Sequence, residues 1–282
     1  YFALTLVVLM SYGYELFNFH LTIDEEMHGS QAGMWHAWIA QGRWGMALSN
    51  YILIPNPVVP VVSTFIGVLG LTLGVASILN SAFELDRVGL TAITAIAVTI
   101  PTLSFSLTFS TIAYGIGVGC MALAAANLLL KRHGWDSLAG ACVLAGLSIG
   151  IYQTFVFVVA MIAVVFVWHV NTIKKENVVA SVARAMIFVL GGILFYAIIN
   201  IVVLKSQSVD MRYVGQFIDI NGFIHDPATR LVDSSKRVIE IIGLSPERFG
   251  IGSIWMRSLV LVAVALGVIY PLFNKDFRSL LG

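Results

Sequence analysis

The sequence predicts an all-α, polytopic integral membrane protein, and three observations carry that prediction. Of the 282 residues, 59% are hydrophobic and only 11% are charged, with a mean hydropathy of +0.91, whereas a soluble domain carries about 25% charged residues. Apolar stretches long enough for a spanning helix, about 20 residues, recur along the chain. Lys and Arg collect in short connections between those stretches. The formal charge of +1 gives no basic excess of the kind that holds nucleic acid, so the expected partners are membrane lipid and what lipid delivers. Cys120 and Cys142 both lie in apolar runs without ligand spacing, which excludes a disulfide framework or a zinc site and leaves them as core filling.

Eight spans are predicted, over 1–19, 57–79, 88–107, 111–130, 137–151, 153–170, 182–204 and 254–273, forming a single transmembrane domain over 1–282. The fifth is short and is separated from the sixth only by Gly150-Ile151-Tyr152-Gln153. Tyr1 opens the chain inside an apolar stretch, with no charged region ahead of it, which reads as a trimmed chain rather than a cleavable signal peptide. The abrupt end after Phe273-Asn274-Lys275-Asp276-Phe277-Arg278 resembles the start of another connection, so further spans are expected beyond it. Glycines 67, 70, 74, 115, 117, 119, 191 and 192 are expected to let helices pack closely.

Lys and Arg in compact loops mark the cytoplasmic side of a membrane protein. The connections 80–87, 131–136, 171–181 and 274–278 carry Arg87, Lys131, Arg132, Lys174, Lys175, Lys275 and Arg278, and alternation of the eight spans puts them all on one side. The opposite, external side then holds 20–56, two short links, and 205–253. Its long segment also carries six basic residues, so compactness rather than number decides the orientation.

Chemistry is expected in the external segments. Segment 20–56 contains the acidic run Asp24-Glu25-Glu26, then Trp35, Trp38 and Trp44, with Arg43 between Gly42 and Trp44. The acidic run reads either as a solvated cap at a helix start or as a cluster of reactive carboxylates. The tryptophans, with Met34, Ile39 and Met46 among them, predict a helix lying in the membrane interface. Arg43 serves either lipid headgroups or, through its planar fork of donors, a phosphate. Glu15, near the end of the first span beside Tyr12, Tyr14 and Asn18, either snorkels to the interface or faces a cavity with a substrate in it.

In 205–253, Lys205, Arg212 and Tyr213 follow the seventh span and are candidates for substrate contact, while residues 228–242 repeat apolar positions at helical spacing and predict an amphipathic helix. Arg230, Asp233, Lys236 and Arg237 read as solvated charges on it. His225-Asp226-Pro227 reads as a turn. Tyr152 and Gln153, at a helix break, either hydrogen-bond a sugar or satisfy backbone groups freed at the kink.

A first span followed by Ile23-Asp24-Glu25-Glu26, then Gly42-Arg43-Trp44 and a Pro-flanked approach to the second helix, with Gly150-Ile151-Tyr152-Gln153 in a later external link, resembles the serotype-converting O-antigen glucosyltransferases of bacteria and their phages. The resemblance covers most of the chain. It implies a GT-C-type polytopic glycosyltransferase in the bacterial inner membrane, moving glucose on the periplasmic face from undecaprenyl-phosphate glucose to lipid-linked O-antigen. By the same resemblance, Asp24 is the general base, Glu25 supports or shares that role, and Tyr152 and Gln153 meet substrate. Glu26 stands where an additional acid is common, so the acting carboxylate stays open.

The residues themselves are compatible with that chemistry. Transfer from a polyprenyl phosphate needs one base for the incoming hydroxyl and cations for the departing phosphate, because phosphate leaves without a strong acid. Arg43 is the first candidate for the phosphate, with Lys205 and Arg212 behind it, and Glu15, Trp44, Tyr152, Gln153 and Tyr213 are the candidate substrate contacts. No nucleotide-binding fingerprint is present, as suits a donor activated on lipid. Paired carboxylates could hold Mg²⁺ or Mn²⁺, but without an aspartate pair at fixed alternate spacing the expectation is a metal-independent reaction with no cofactor. The competing class is a flippase for a lipid-linked sugar, which should show an internal repeat and broken helices in matching halves; no convincing repeat is visible. A membrane assembly factor would leave Asp24 and its neighbours unexplained.

Overall fold

The computed structural model describes residues 2–17, 31–53, 60–83, 85–99, 107, 110–171, 177–209 and 226–239, with a few side chains within these excepted. Among the described residues the chain is helical throughout, with no strand. Helices α1 (Phe2–Phe17), α2 (Gln31–Ala40), α3 (Trp44–Leu53), α4 (Pro60–Phe83), α5 (Arg87–Val98), α6 (Ser110–Leu130), α7 (Trp135–Ile151), α8 (Phe155–His169) and α9 (Val178–Gln207) belong to one compact unit, residues 1–214. A second unit, 215–282, contains α10 (Pro227–Ile239).

Among the described residues three helices are long and apolar enough to cross a membrane, Val61–Phe83, Thr111–Leu130 and Val178–Gln207. With the shorter apolar helices they make a polytopic membrane protein. The predicted spans 1–19, 57–79, 111–130, 137–151, 153–170 and 182–204 each have a helix at their position, while 254–273 lies outside the described residues. The predicted span 88–107 is described as helix only over α5, which a hydrogen bond from Thr99 N–H to the Ala95 carbonyl closes. Twelve residues rise about 18 Å, short of a hydrocarbon core of about 30 Å.

Several hydroxyl side chains in these apolar helices are satisfied by helix carbonyls. Thr72 donates to the Val68 carbonyl at 2.7 Å, Ser49 to Gly45 at 2.7 Å, and Ser148 to both Leu144 and, across to α6, Gly119 at 2.9 and 3.1 Å. Side-chain caps begin two of the helices that follow the basic turns. Asp86 accepts from the Gly89 N–H at 2.9 Å at the head of α5, and Asn177 accepts from the Val179 N–H at 2.9 Å at the head of α9.

Helix association in lipid has no hydrophobic drive of its own and relies on close packing of small residues. The pair α4 and α6 shows this directly. A methyl group added to Gly67 would stand 2.5 Å from the Ala113 carbonyl, and one added to Gly70 would stand 2.6 Å from the Gly117 backbone. Gly74 meets Cys120 in the same way, and Gly192 meets Ala145 of α7. Cys120 is buried and Cys142 half-buried, both as free thiols filling helix contacts.

The described parts of three connections expected on one side, 80–87, 131–136 and 171–181, share one end of unit 1, while 274–278 lies outside the described residues. Lys131 donates to the Ser81 carbonyl, Asn127 to the Ser81 hydroxyl, and the buried His169 Nδ1 lies 2.9 Å from the Ala82 carbonyl. Arg184 donates from α9 to the carbonyls of Leu130, at 2.9 Å, and Arg132. These side chains occupy the carbonyls that the ends of α4 and α6 leave unpaired.

Gly70→Ala is expected to force α4 and α6 apart and lower stability by about 1–3 kcal/mol. Gly13→Ala in α1, where a Cβ would meet nothing within 4 Å, is expected to leave stability unchanged or slightly raised. Thermal unfolding of the two purified variants in the same detergent checks the contrast.

Candidate functional site

The segment expected to form one interfacial helix instead forms two, broken at Gln41-Gly42-Arg43. Gly42 adopts φ +71°, a conformation that glycine takes without steric cost. Its N–H bonds to the Ile39 carbonyl and the Arg43 N–H to that of Trp38, both at 2.8 Å. This pairing is the left-handed glycine stop that closes a helix with two returning hydrogen bonds. The Arg43 carbonyl then accepts from Met46 and Ala47 at 3.0 and 3.1 Å and starts α3. Arg43 therefore stands at the corner between the two helices.

The tryptophans differ from their expected place as lipid-facing anchors. Trp38 and Trp44 are buried at 4% and 7% exposure, together with Met34, Ile39 and Met46. Trp35 is half-buried and meets Tyr51 edge-on at 6.2 Å. The cause is packing: α3 lies against α7 through glycines on both sides. A Cβ on Gly45 would be 2.8 Å from the Gly150 backbone, and one on Gly150 would be 2.6 Å from the Trp44 indole. Trp44 also meets Phe195 of α9 edge-on at 6.4 Å, and Met46 reaches the face of Gly115 in α6.

This packing brings Gly42-Arg43-Trp44 against the link Tyr152-Gln153-Thr154 between α7 and α8. The Arg43 guanidinium lies 4.5 Å from the Tyr152 ring centroid and 5.5 Å from that of Trp38, a cation–π arrangement on two rings. Its Nε donates to Gln153 Oε1 at 3.3 Å, while Gln153 Nε2 donates to the Gln41 carbonyl at 2.6 Å. Gln153 thus satisfies a backbone carbonyl at the α2–α3 corner and orients the guanidinium at once. Tyr196 of α9 donates to the Gly42 carbonyl at 3.2 Å. Tyr196 Oη, Gln153 Nε2 and Asn200 Oδ1 would stand 2.9, 3.3 and 3.5 Å from a Cβ placed on Gly42. The buried indole N–H groups of Trp38 and Trp44 have no partner among the described residues.

Of the residues singled out in the sequence, Arg43, Trp44, Tyr152 and Gln153 come together. Lys205 is exposed in the last turn of α9, about 7 Å further along the axis than Asn200. The helix runs to Gln207 and is closed by Ser208 at φ 52°, so Lys205 stands on the seventh helix rather than in the loop after it. Asp24, Glu25, Arg212 and Tyr213 lie outside the described residues, as does the Glu15 side chain. The predicted amphipathic helix over 228–242 is α10, Pro227–Ile239. Gln41, Tyr196 and Asn200 were not anticipated. Tyr196 and Asn200 carried a signal, being polar side chains one turn apart in an otherwise apolar part of α9. Among the described residues no three His, Cys, Asp or Glu side chains gather as metal ligands.

The apolar helices, with a guanidinium held on aromatic rings at one end of the bundle, define a polytopic membrane protein. The family model for Glucosyl transferase GtrII matches residues 13–281, and the chain belongs to that glucosyltransferase family, the serotype-converting family that its motifs resemble. It is a membrane glycosyltransferase. No curated protein and no solved structure matches the chain.

Gly42→Ala combines a strained backbone with a clash against Tyr196 and is expected to destabilise the protein by about 1–3 kcal/mol. Tyr196→Phe, which removes one hydrogen bond to a carbonyl, should cost about 1 kcal/mol. Chemical or thermal unfolding of the two variants ranks them, and equal stability of Gly42→Ala and the parent would refute the corner geometry.

Proposed function

We propose that the protein transfers a glucosyl group from a polyprenyl-phosphate donor, undecaprenyl-phosphate glucose, to a hydroxyl of a lipid-linked O-antigen acceptor on the periplasmic side of the inner membrane. The observation that carries the reading is the meeting of Gly42-Arg43-Trp44 with Tyr152-Gln153 around one cation, in a chain of the glucosyltransferase family. The acceptor hydroxyl loses its proton to a carboxylate, its oxygen bonds to the sugar C1, and the C1–O bond to phosphate breaks. Configuration at C1 inverts, and polyprenyl phosphate leaves. The Arg43 guanidinium faces the departing phosphate, since a planar fork pairs two of its oxygens. Lys205 and Arg212 serve the same charge from further out, and Trp44, Tyr152, Gln153 and Tyr213 line the sugar path, with Glu15 near it.

Asp24 is the base in this reading, with Glu25 supporting it. Chain connectivity favours that assignment. Tyr12 of α1 donates to the Val98 carbonyl at the far end of α5 from the basic turns, so α1 ends towards the same end of the unit as Arg43. Six residues lie between Asp24 and Gln31 at the head of α2, a reach of at most about 25 Å over the seven steps. The helical architecture is of the GT-C type in this proposal, and the reaction requires no metal.

Membranes carrying the intact protein should move glucose from undecaprenyl-phosphate glucose to O-antigen acceptor. Asp24→Asn should lower the rate by about 10²–10⁴, and Arg43→Ala by about 10²–10³, with both variants folded. Full activity in Asp24→Asn sinks the base assignment. Loss of labelled-lipid movement across the bilayer, with transfer intact, would make the protein a flippase.

A further inference from the structure

At the end of unit 1 opposite Arg43, about 25 Å away along α7, a cavity of about 530 Å³ opens between the α6–α7 turn, the end of α8 and the head of α9. Its lining divides by chemistry. Lys131, Arg132, His133 and Arg184 supply polar, largely cationic groups, while Leu138, Phe166, Val170 and Ile187 supply an apolar wall. Arg184 and Lys131 are spent in part on helix-end carbonyls, which fixes their charges at the mouth. Arg132, His133 and Trp135 are exposed, Trp135 at 76%. Two acids adjoin the lining in sequence: Asp136, exposed in the first turn of α7, does not line the cavity, and Glu176, next to Asn177, lies outside the described residues.

Neither wall makes sense alone. A soluble anion would leave the apolar wall in water, and an acyl chain alone would not match the cationic part of the lining. Basic pockets between helix ends at one membrane face suit a phosphodiester headgroup, with an aromatic ring at headgroup level. We propose that this cavity is a binding site for an anionic phospholipid, its headgroup phosphate on Lys131, Arg132 and Arg184 and its acyl chain along Phe166, Val170 and Ile187. The site is separate from the transfer chemistry, so its occupancy does not depend on the donor or acceptor proposed above.

Native mass spectrometry of the full chain in detergent, titrated with dioleoyl phosphatidylglycerol, tests it. Retention of phosphatidylglycerol should exceed that of dioleoyl phosphatidylcholine, and Arg132→Ala/His133→Ala should weaken it by about fivefold for the lost arginine charge. A second variant, Ala183→Glu, puts a carboxylate on an exposed position of the lining and should weaken phosphatidylglycerol without weakening phosphatidylcholine. Unchanged melting temperatures establish that both variants are folded, and one folded variant is enough to test the site. Equal retention of the two lipids by the parent protein, or undiminished phosphatidylglycerol binding in a folded variant, overturns the proposal. Displacement of the lipid by millimolar inorganic phosphate overturns it too, by making the cavity a site for the free anion.

Discussion

The backbone contact of Gly45 with Gly150 sets the geometry of the whole Arg43 end. Two segments more than a hundred residues apart can approach to van der Waals distance only where neither carries a side chain, since a methyl on either would meet backbone or indole below 3 Å. Once α3 lies in that groove, Trp44 covers Gly150, Met46 reaches Gly115, and Arg43 is carried over the Tyr152 ring without further adjustment. The hydrogen bonds of Gln153 and Tyr196 then hold an arrangement that packing has already produced. Each of those bonds is worth about 1 kcal/mol, too little to impose the approach but enough to select one rotamer.

The two ends of the bundle use their cations differently. At one end Lys131 and Arg184 are anchored on carbonyls of helix termini, where positive charge meets the negative pole of a helix. At the other, Arg43 rests on ring faces and a glutamine. A cation on aromatic faces gains about 0.5–2 kcal/mol from them, which limits what its burial costs. One set of cations is therefore held by helix-end carbonyls and the other by rings and a side-chain amide.

Much of the fold was legible in the sequence because lipid imposes a simple rule: backbone polar groups must pair internally, so apolar length reads directly as helix. Helices α4, α6 and α9 follow that rule, and the glycines at 67, 70 and 117 sit at close helix contacts as expected, although their partners were not legible. The rule fails where burial occurs against protein. Trp38 and Trp44 carry the composition of an interfacial belt, yet they face α7 and α9, because aromatic spacing alone does not say whether lipid or helix covers a ring. The break at Gly42 was equally hidden, since a glycine within an apolar run stops a helix there only when the tertiary structure supplies donors for the freed carbonyls and a wall. The motifs at 42–44 and 150–153 were visible one at a time. Their juxtaposition was not, because it depends on a contact between glycines that no local pattern encodes.

That hidden contact also explains why the site is assembled from corners rather than from helix faces. A helix interior presents side chains at fixed 100° steps, with every amide used. At Gln41-Gly42-Arg43 and Tyr152-Gln153-Thr154 the chain turns, and carbonyls at 41 and 42 become available to Gln153 and Tyr196. Each corner exposes backbone that apolar surroundings would penalise, and each supplies what the other lacks: one gives carbonyls and a cation, the other an amide and a ring. A substitution that removes Gln153 therefore leaves the Gln41 carbonyl unsatisfied, at about 1–3 kcal/mol, and frees the guanidinium plane. Stability and orientation of the cation are one property here, because the same amide provides both.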